Sequence, residues 1–383
     1  MKLSDMAVIS AGQGAPQGES AYGTEGVPFI KAGDLASLLA GKKESEIQHV
    51  NESVAKKHRL KIYPAGSILF AKSGMSCMKG YVYKTDSPCY VVSHLAIIIP
   101  TGCDGDYLEY YFQFHKPNSL VKDAAYPSIS LADIGEMEIN LPTQVEQQKI
   151  VNELEKVTEL IALRKEQLAK LDELVKSRFI ELFGTTGKPV PLTDYVWFQE
   201  GPGVRSVDFT DDGTILLTGS NINDNIISFG HKSDRHISNE LASGKYAHFM
   251  CEKDDILVVS SAIDPDKFDK KVVVVDVDNK YCLNTGIIRF KPNKQYLTLG
   301  YFREFLKTDY FKHQVSNEMR GIAQMHFGPS HLKQMTILLP DSIESQIEFE
   351  KFVQQTDKSK LAIQESLAEL ETLKKALMQK YFG

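Results

Sequence analysis

The sequence predicts an α+β protein in which two mixed α/β domains in a pseudo-twofold arrangement are joined by two long helices forming an antiparallel coiled coil. Two junctions support this fold class, LPTQVEQQKI at 141–150 and LPDSIESQI at 339–347. Each opens a long charged segment with heptad spacing, and the segments end in LFG at 182–184 and YFG at 381–383. A helix used twice, each time after a globular segment of similar length, indicates an internal duplication.

The bulk composition is that of an ordinary water-soluble protein. With 383 residues, 42% hydrophobic and 25% charged, the chain can form two or more domains. No apolar run approaches the ~20 residues of a membrane helix, and no signal-peptide core is present, so we expect a cytoplasmic protein without membrane contact. Five cysteines without a CxxC pair disfavour disulfides and zinc. The net charge of −6 means that any affinity for nucleic acid must come from local basic clusters or a partner.

Short matches in one order extend the repeat into the globular segments. They are KLSD at 2–5 with PLTD at 191–194, AGDL at 32–35 with GSNI at 219–222, and AGSILF at 65–70 with KDDILV at 253–258. The offsets of 189, 187 and 188 differ by only one or two residues, as expected when loops of a duplicated domain gain or lose residues. We therefore divide the chain into a first domain (1–142), a helical spacer (143–184), a second domain (185–340) and a second helical spacer (341–383).

Runs of β-branched residues bounded by turn residues predict strands in both domains. They lie at 67–70, 91–100, 255–259 and 271–276. Aromatic residues at helical spacing predict short helices at 106–114 and 299–306, and these aromatic stripes are more typical of a core than of base stacking. Each globular half is therefore expected to be mixed α/β.

Both charged segments have the 4,3 spacing of a coiled-coil seam. The first seam is Ile150, Leu154, Val157, Ile161, Arg164, Leu168, Leu171, Val175, Arg178 and Leu182. The second, at a constant offset of 199, is Phe349, Val353, Thr356, Lys360, Ile363, Leu367, Leu370, Lys374, Leu377 and Tyr381. Two such helices most simply pack on each other, and about 40 residues at ~1.5 Å each make a rod of ~60 Å. Without the flanking repeat, a generic helical hairpin or a homodimer zipper would be the simpler interpretation.

The domain-to-helix junctions carry a family resemblance over essentially the whole chain. INLP at 139–142 followed by Glu146-Gln147, and ILLP at 337–340 followed by Glu344-Ser345-Gln346, resemble the junctions of specificity (S) subunits of type I restriction–modification systems, the HsdS family. The second junction departs from the family's Glu-Gln pair. GSIL at 66–69 and DDIL at 254–257 resemble the family's Gly-Asp-Ile-Leu strand motif, each with one departure.

The resemblance implies a non-catalytic subunit that reads an asymmetric bipartite target in double-stranded DNA, with two target-recognition domains for its two half-sites. The helices would set the half-site spacing and dock two modification (adenine methyltransferase) subunits, and restriction (endonuclease and translocase) subunits would add cleavage. Those partners would bind S-adenosylmethionine, ATP and Mg, so no cofactor is expected in this chain. Charged helix positions are either docking surfaces or solvent-facing positions: Glu153, Glu155, Glu159, Lys165 and Glu166.

Catalytic motifs give little support to an enzyme. The sequence has no Pro-Pro, which the Asn/Asp-Pro-Pro-Tyr/Phe loop of adenine methyltransferases requires, and neither a Gly-x-Gly-x-x-Gly fingerprint nor a Walker loop. The acidic run 264–269 is expected to be a solvated turn, and the single histidines His94, His236, His248 and His326 structural or DNA-facing. Two alternatives to the specificity subunit remain. One is a non-DNA scaffold with two α/β modules on a coiled-coil stalk, and the other is a DNA-reading subunit of a related non-type-I system.

Polar loop residues beside strand ends are the candidate DNA contacts. They are Gln13, Lys31, Lys72, Ser73, Tyr126 and Ser128 in the first half and Arg205, Asn221, Ser260, Ser261, Arg320 and Gln324 in the second. Arginine suits guanine, which points to Arg205 and Arg320, whereas Gln13, Asn221 and Gln324 suit adenine. The basic runs at 56–61 and 267–271 are either phosphate contacts or solvated faces.

Overall fold

The structure, a computed structural model, describes residues 1–184, 187–230, 232–261, 264–317 and 327–383. The chain forms two compact units. The first comprises Met1–Lys165 and Glu365–Gly383, and the second comprises Glu166–Gln364. Each unit therefore combines one globular segment with part of each long helix.

Seven short strands and five helices precede residue 184, where the description of the chain first breaks. The strands are β1 (Ala7–Ala11), β2 (Val27–Ile30), β3 (His49–Val50), β4 (Ile68–Ala71), β5 (Val82–Lys84), β6 (Tyr90–Val91) and β7 (Leu95–Pro100). The helices are α1 (Asp34–Leu39), α2 (Glu52–His58), α3 (Gly105–Phe114), α4 (Leu131–Gly135) and α5 (Gln144–Phe183).

The rest of the chain repeats this order with additions. Its strands are β8 (Lys188–Pro191), β9 (Val196–Glu200), β10 (Phe209–Thr210), β11 (Thr214–Leu217), β12 (Ile222–Asn223), β13 (Ile226–Ile227), β14 (Arg235–Ile237), β15 (Ile256–Val259), β16 (Val272–Val274), β17 (Tyr281–Leu283), β18 (Ile287–Pro292) and β19 (Thr336–Leu339). Its helices are α6 (Leu192–Tyr195), α7 (Asn239–Ser243), α8 (Leu299–Phe305), α9 (Asp309–Asn317), α10 (Pro329–Leu332) and α11 (Ile343–Phe382).

Both units have the same two-sheet frame. An antiparallel sheet has the order β1-β7-β4-β5 in the first unit and β9-β18-β15-β16 in the second. A smaller sheet has the order β3-β2-β6 in the first and β14-β11-β17 in the second, with β10 added at the β14 edge. The register repeats as well. Pro28 pairs with His49 in the first unit, and the residues 187 positions later, Ile215 and His236, pair in the second. The predicted α+β fold with a duplicated domain is confirmed.

The predicted strand at 91–100 is wrong as a single element. β6 ends at Val91 after pairing in parallel with β2, and β7 begins at Leu95 to pair antiparallel with β1 and β4. The chain thus passes from the small sheet to the large one through a turn at 92–94. The second unit makes the same passage between β17 and β18, at 284–286. The only sign of this change of sheet in the run is the polar pair Ser93-His94.

The seam residues line the contacts between the long helices within each unit. In the first unit the Tyr381 hydroxyl donates to Glu153, and Lys165 pairs with Glu371 at 3.4 Å. In the second unit Lys360 pairs with Asp172 at 2.5 Å. Residues later in α5 therefore contact residues earlier in α11, so the two helices are antiparallel, as predicted. The apolar seam residues are buried or half-buried throughout: Ile150, Leu154, Val157, Ile161, Leu168, Leu171, Val175, Leu182, Phe349, Val353, Ile363, Leu367, Leu370 and Leu377.

The helix ends are core residues of the globular segments. In the first unit the Phe382 ring lies 5.3 Å from the Tyr107 ring, centroid to centroid. In the second unit the Phe183 ring lies 4.8 Å from the Tyr301 ring. The repeated Phe-Gly ending therefore closes each helix onto an aromatic cluster on the first helix after the large sheet.

The glutamine of each junction has one structural role. Gln147 Oε1 accepts from the Asp104 N–H (2.8 Å), and Gln346 Oε1 accepts from the Thr298 N–H (3.0 Å). Asp104 and Thr298 are the N-cap residues of α3 and α8. Both glutamines are buried, with 3% and 1% of the side chain exposed. The departure in the second junction, Ser345, replaces Glu146 and leaves this docking contact intact. Among the helices of the described residues, none combines the length and apolar character needed to cross a membrane.

Candidate nucleic-acid interface

The turn at 92–94 gathers the loops of the first unit at one edge. Its backbone hydrogen bonds are Val92 N to Ile30 O (3.0 Å), Ser93 N to Gln13 O (2.8 Å) and Lys72 N to His94 O (2.9 Å), and Lys72 O in turn accepts from Ile129 N (2.8 Å). The loops that follow β1, β2 and β4 and the segment before α4 thus meet here. We call residues 12–14, 31, 72–75, 92–94 and 126–129 the first loop edge.

The first loop edge brings together the residues that the sequence nominated in this half. Ser73 Oγ lies 2.8 Å from His94 Nδ1, and Ser73 bridges Ser128 through the backbone. Lys72 is half-buried and has no carboxylate partner among the described residues. Tyr126 is 82% exposed. These groups offer a cation, hydroxyls, an imidazole and a phenol, which suit base-edge and phosphate contacts.

The Ser73–His94 pair lacks, among the described residues, the third group of a catalytic triad. A nucleophilic serine requires a base that a third group orients, and within the described residues no carboxylate is hydrogen-bonded to the other ring nitrogen of His94. The described residues also contain no His, Cys, Asp and Glu grouping suited to a metal ion. The cysteines are free thiols, and burial raises the pKa of Cys89 to about 12, which disfavours a reactive thiolate. The chemistry that this edge supports is therefore hydrogen bonding and charge recognition.

Two nominated residues of the first unit have structural contacts. The Gln13 side chain accepts from the Lys61 N–H and donates to Arg59 O (2.9 Å), so its amide is occupied. Lys31 Nζ donates to Gln48 Oε1 (2.5 Å) and lies 4.1 Å from the centroid of the Tyr22 ring. Gln13 is consequently better explained as a brace than as an adenine reader.

The second unit builds the corresponding edge around the turn at 284–286. Its hydrogen bonds are Gly201 N to Ile287 O (3.0 Å), Thr285 N to Pro202 O (3.0 Å), Ser260 N to Gly286 O (2.8 Å) and Phe327 N to Ser260 O (2.9 Å). We call residues 201–205, 260–261 and 284–286 the second loop edge. The last three of these bonds repeat bonds of the first edge, and the first corresponds to Gly12 N to Leu95 O (3.1 Å) in the first unit. The side chains of the two edges differ.

One glycine in each edge permits the close approach of the turn. A Cβ on Gly12 would lie 2.2 Å from Val92 O, and a Cβ on Gly201 would lie 2.2 Å from Asn284 O. No side chain fits at such a distance from a backbone oxygen, so both copies require glycine. The matched glycines at 12 and 201 in the sequence are thereby explained.

The nominated residues of the second unit divide by exposure. Arg205 is exposed and has no ion-pair partner among the described residues, which leaves it available for guanine or phosphate. Ser261 is half-buried beside Gly286. Asn221 is 1% exposed, and its amide bonds Thr218, Ser228 and Asp234. Ser260 is also 1% exposed. Burial removes Asn221 and Ser260 from the available contacts.

Arg320, Gln324 and His326 lie outside the described residues. His94, which the sequence predicts to be structural or DNA-facing, lies in the first loop edge beside Ser73. Met75 also lies in this edge and is 69% exposed, but it is not among the candidate DNA contacts predicted from the sequence. Two features of the sequence mark these positions as loop residues: the polar Ser93-His94 pair interrupts an apolar run, and Gly74 immediately precedes Met75.

The two basic runs differ in availability. In the second unit Lys271 Nζ donates to Ile222 O (2.8 Å) and Asn223 Oδ1 (2.6 Å), and burial lowers the pKa of Lys271. Its neighbours Lys267 and Lys270 pair with acidic residues at 3.5 and 3.4 Å. The run at 56–61, by contrast, comprises the last turn of α2 and the three residues after it, is exposed except at the half-buried Leu60, and adjoins the first loop edge through Gln13.

Comparisons with known proteins give one consistent result. The model of the type I restriction modification DNA specificity domain matches residues 1–173 and 188–373. The specificity subunit of the type I restriction enzyme MjaIX from Methanocaldococcus jannaschii is 26% identical over 180 residues, 45% of this chain and 40% of that protein. The match therefore spans about two fifths of that relative's length.

Solved structures show a similar fold. The S subunit of the type I restriction-modification system from M. genitalium aligns over 100% of this chain and 95% of its own, with a TM-score of 0.58 and 15% identity. A chain from a structural study of complex assembly and conformational transition of the type I R-M system aligns over 100% and 96%, with a TM-score of 0.53 and 16% identity. With the duplicated frame and the two matched segments, the chain belongs to the family of type I restriction modification DNA specificity domains, of which it carries two copies.

Proposed function

We propose that this chain is the non-catalytic DNA-recognition subunit of a type I restriction–modification complex. Each unit reads one half of an asymmetric bipartite target in double-stranded DNA through its loop edge. The observation that carries the proposal is the duplicated edge, in which one hydrogen-bonded backbone frame presents two different sets of polar side chains. A fixed frame with variable side chains suits a protein that reads different sequences in one docking geometry.

The half-sites are expected to differ because corresponding side chains differ. Lys72 and His94 in the first edge correspond to Ser260 and Gly286 in the second. The exposed cation of the second edge is Arg205, whose guanidinium suits the O6 and N7 acceptors of guanine. The first edge offers Lys72 together with the exposed Tyr126.

The long helices are proposed to set the half-site spacing and to dock two modification (methyltransferase) subunits, with restriction (endonuclease and translocase) subunits adding cleavage. S-adenosylmethionine, ATP and Mg are then bound by those partners. Glu155 and Glu159 are exposed without an ion pair among the described residues, which suits a docking role. Glu153, Lys165 and Glu166 already bond helix residues: Tyr381, Glu371 and Lys170, respectively.

Sequencing of modified bases in host DNA, with and without this gene, tests the function. We expect adenine methylation at a single two-part motif that is lost when the gene is deleted. If no methylated motif depends on the gene, and the chain with a neighbouring adenine methyltransferase shows no sequence preference on random duplexes, the proposal is wrong.

A heptad insertion tests the spacing. Seven residues placed in both helices, after Leu168 and after Ile363, add ~10 Å of helix and should lengthen the accepted spacer by about three base pairs. The same seven residues inserted in the exposed turn at 277–279 are the control and should leave the spacer unchanged. Unchanged spacing in the helix variant would refute the spacing role.

Substitutions in the edges test which unit reads which half. Arg205→Ala should relax the preference in one half-site, and Lys72→Ala in the other, each by ~1–3 kcal/mol of base discrimination. Methylation rates on a library of randomised targets measure both preferences at once. If both variants relax the same half-site, the assignment of one half-site to each unit fails.

A further inference from the structure

A run of exposed basic residues borders the first loop edge. Lys57, His58, Arg59 and Lys61 are exposed, and none has a carboxylate partner among the described residues. The preceding Lys56 differs, because it pairs with Glu52 at 2.6 Å. We call residues 57–61 the basic loop.

The backbone of the basic loop holds Arg59 in an unusual conformation. Arg59 ends α2 with φ 51° and ψ 43°, in the left-handed region. The Leu60 N–H donates to Ala55 O (2.9 Å) and the Arg59 N–H to Lys56 O (3.2 Å), which is the usual closure of a helix on a glycine. An arginine at this position strains the backbone, and its guanidinium forms no ion pair with the residues that the structure describes.

Gln13 attaches the basic loop to the first loop edge. Its side-chain oxygen accepts from the Lys61 N–H, and its side-chain nitrogen donates to Arg59 O (2.9 Å). Its own backbone donates to Val91 O (2.8 Å) and accepts from Ser93 N (2.8 Å). The loop is therefore held on both sides of Leu60 and tied to the turn that organises the edge.

The second unit lacks this arrangement at the corresponding positions. The segment 243–248 follows α7, the counterpart of α2, and its Lys245 pairs with Asp208 at 3.1 Å. Asp208 also accepts from the Tyr246 hydroxyl (3.0 Å). The counterpart of Gln13 is Pro202, which has no side-chain amide. The braced, unpaired cations thus distinguish the first unit from its own repeat.

We propose that the basic loop binds the phosphate backbone of DNA beside the half-site that the first loop edge reads, with Gln13 as a positioning residue. The inference rests on the proposed function and makes it asymmetric, because the first half-site is held by more phosphate contacts than the second. Guanidinium and ammonium groups form charge-assisted hydrogen bonds with phosphate, and each contact releases a counterion. Lys57 and His58 also face the C-terminal end of the α2 dipole, whereas Arg59 and Lys61 lie beyond the helix and have no such role.

The test compares the full chain, co-purified with the methyltransferase encoded beside it, with its Arg59→Gln/Lys61→Gln variant. Binding is measured on the methylated motif's duplex and on a scrambled duplex between about 50 and 200 mM salt, where two lost phosphate contacts reduce the log–log salt slope by about two. Between these two salt concentrations the affinity of the wild type should fall by a factor ~10 times larger than that of the variant. The ratio of affinities for the two duplexes should stay constant, because phosphates carry no sequence information.

Three further variants separate charge, position and folding. Gln13→Ala keeps every cation and should still reduce the salt slope, by about one. The charge-conserving Arg59→Lys/Lys61→Arg pair should retain the wild-type slope even if its melting temperature falls. Lys245→Gln, in the second unit, should leave the slope within half a unit of wild type, since that lysine is already paired.

The outcomes distinguish this inference from the function on which it rests. A wild-type slope in the Arg59→Gln/Lys61→Gln variant, with specific binding intact, overturns the basic-loop inference alone. A selective loss on the target duplex means that the loop reads bases, and this also overturns it. If the wild-type complex shows no preference between the duplexes, the proposed function fails and the inference fails with it.

Discussion

The junction glutamines offer a direct test of how the long helices are docked. Replacing Gln346 by methionine keeps the length of the side chain and removes both polar contacts. The Thr298 N–H and the Tyr296 C=O, bonded to Gln346 at 3.0 Å each, are then left without partners in a site where Gln346 is 1% exposed. The Thr298 N–H is buried, whereas Tyr296 is 43% exposed and water can bond its C=O, so we expect a loss of about 1–3 kcal/mol.

The matched change in the first unit should cost less. Gln147 makes the same contact with the Asp104 N–H (2.8 Å), but Asp104 is half-buried and water can replace the glutamine there. We expect Gln147→Met to cost about 1–2 kcal/mol. Gln355→Met, at an exposed position of α11, is the control and should stay within ~0.5 kcal/mol of wild type.

The single tryptophan provides the assay. Trp197 lies on β9 in the second unit and is 50% exposed, with the Arg289 guanidinium 5.2 Å from its ring centroid. Its fluorescence during urea unfolding reports the second unit, and circular dichroism reports the whole chain. Gln346→Met should move the fluorescence midpoint, and Gln147→Met should move mainly the dichroism curve. If Gln346→Met unfolds with the midpoint of Gln355→Met, the glutamine does not dock the helix.

Three further predictions concern the duplicated frame and its buried charges. Gly26→Ala and Gly213→Ala should each destabilise the protein by about 2–5 kcal/mol in thermal melts. At both positions an added Cβ would lie 2.4 Å from a backbone oxygen, and the glycines have φ +112° and +114°. Gly14→Ala, where nothing lies within 4 Å of the added Cβ, is the control and should be neutral. Glu44→Gln should cost ~1–3 kcal/mol and speed amide exchange at 86–87, since this 6%-exposed carboxylate accepts four hydrogen bonds. Burial alone would raise the pKa of Glu304, but ion pairs with a lysine and an arginine lower this pKa below its usual value. The contribution of Glu304 to stability should therefore be present above pH ~4.5 and be lost as the pH falls through the lowered pKa of the folded state. Glu304→Gln should remove this dependence from a pH titration followed by Trp fluorescence.

Each of these predictions has a result that contradicts it. Equal melting of the Gly213→Ala and Gly14→Ala variants would show that the strand can shift to accept a side chain. Exchange at 86–87 that is unchanged in Glu44→Gln would mean that the carboxylate does not hold that turn. An acid limb that is as steep in Glu304→Gln as in wild type would assign acid unfolding to other carboxylates.

The repeat and the helices were predictable because their signals are local. Seam positions recur every seven residues, and the antiparallel pairs Lys165–Glu371 and Lys360–Asp172 confirm the packing that this spacing predicted. The small-sheet pairing was not predicted, although His49 and His236 are separated by the common offset of 187, because strands of two to four residues are too short to show a periodicity.

The candidate site was predictable only in part. Loop position beside strand ends led to Lys72, Ser73, Tyr126 and Ser128, which the structure brings together. The same criterion could not separate Arg205, which is exposed, from a buried asparagine such as Asn221. Both are polar loop residues, and only their distant neighbours decide whether the side chain faces solvent.

The sequence by itself determined the duplication, the α+β class and the length and pairing of the helices, because periodicity and repeat order are properties of the chain. The tertiary structure alone decided that the apolar run ending at Pro100 changes sheets at 92–94, and that this turn gathers the loops after β1, β2 and β4 and the segment before α4. It also placed the Gln13 side chain between Arg59 O and the Lys61 N–H. Those outcomes depend on hydrogen bonds between residues tens of positions apart, and such contacts leave no local pattern in the order of amino acids.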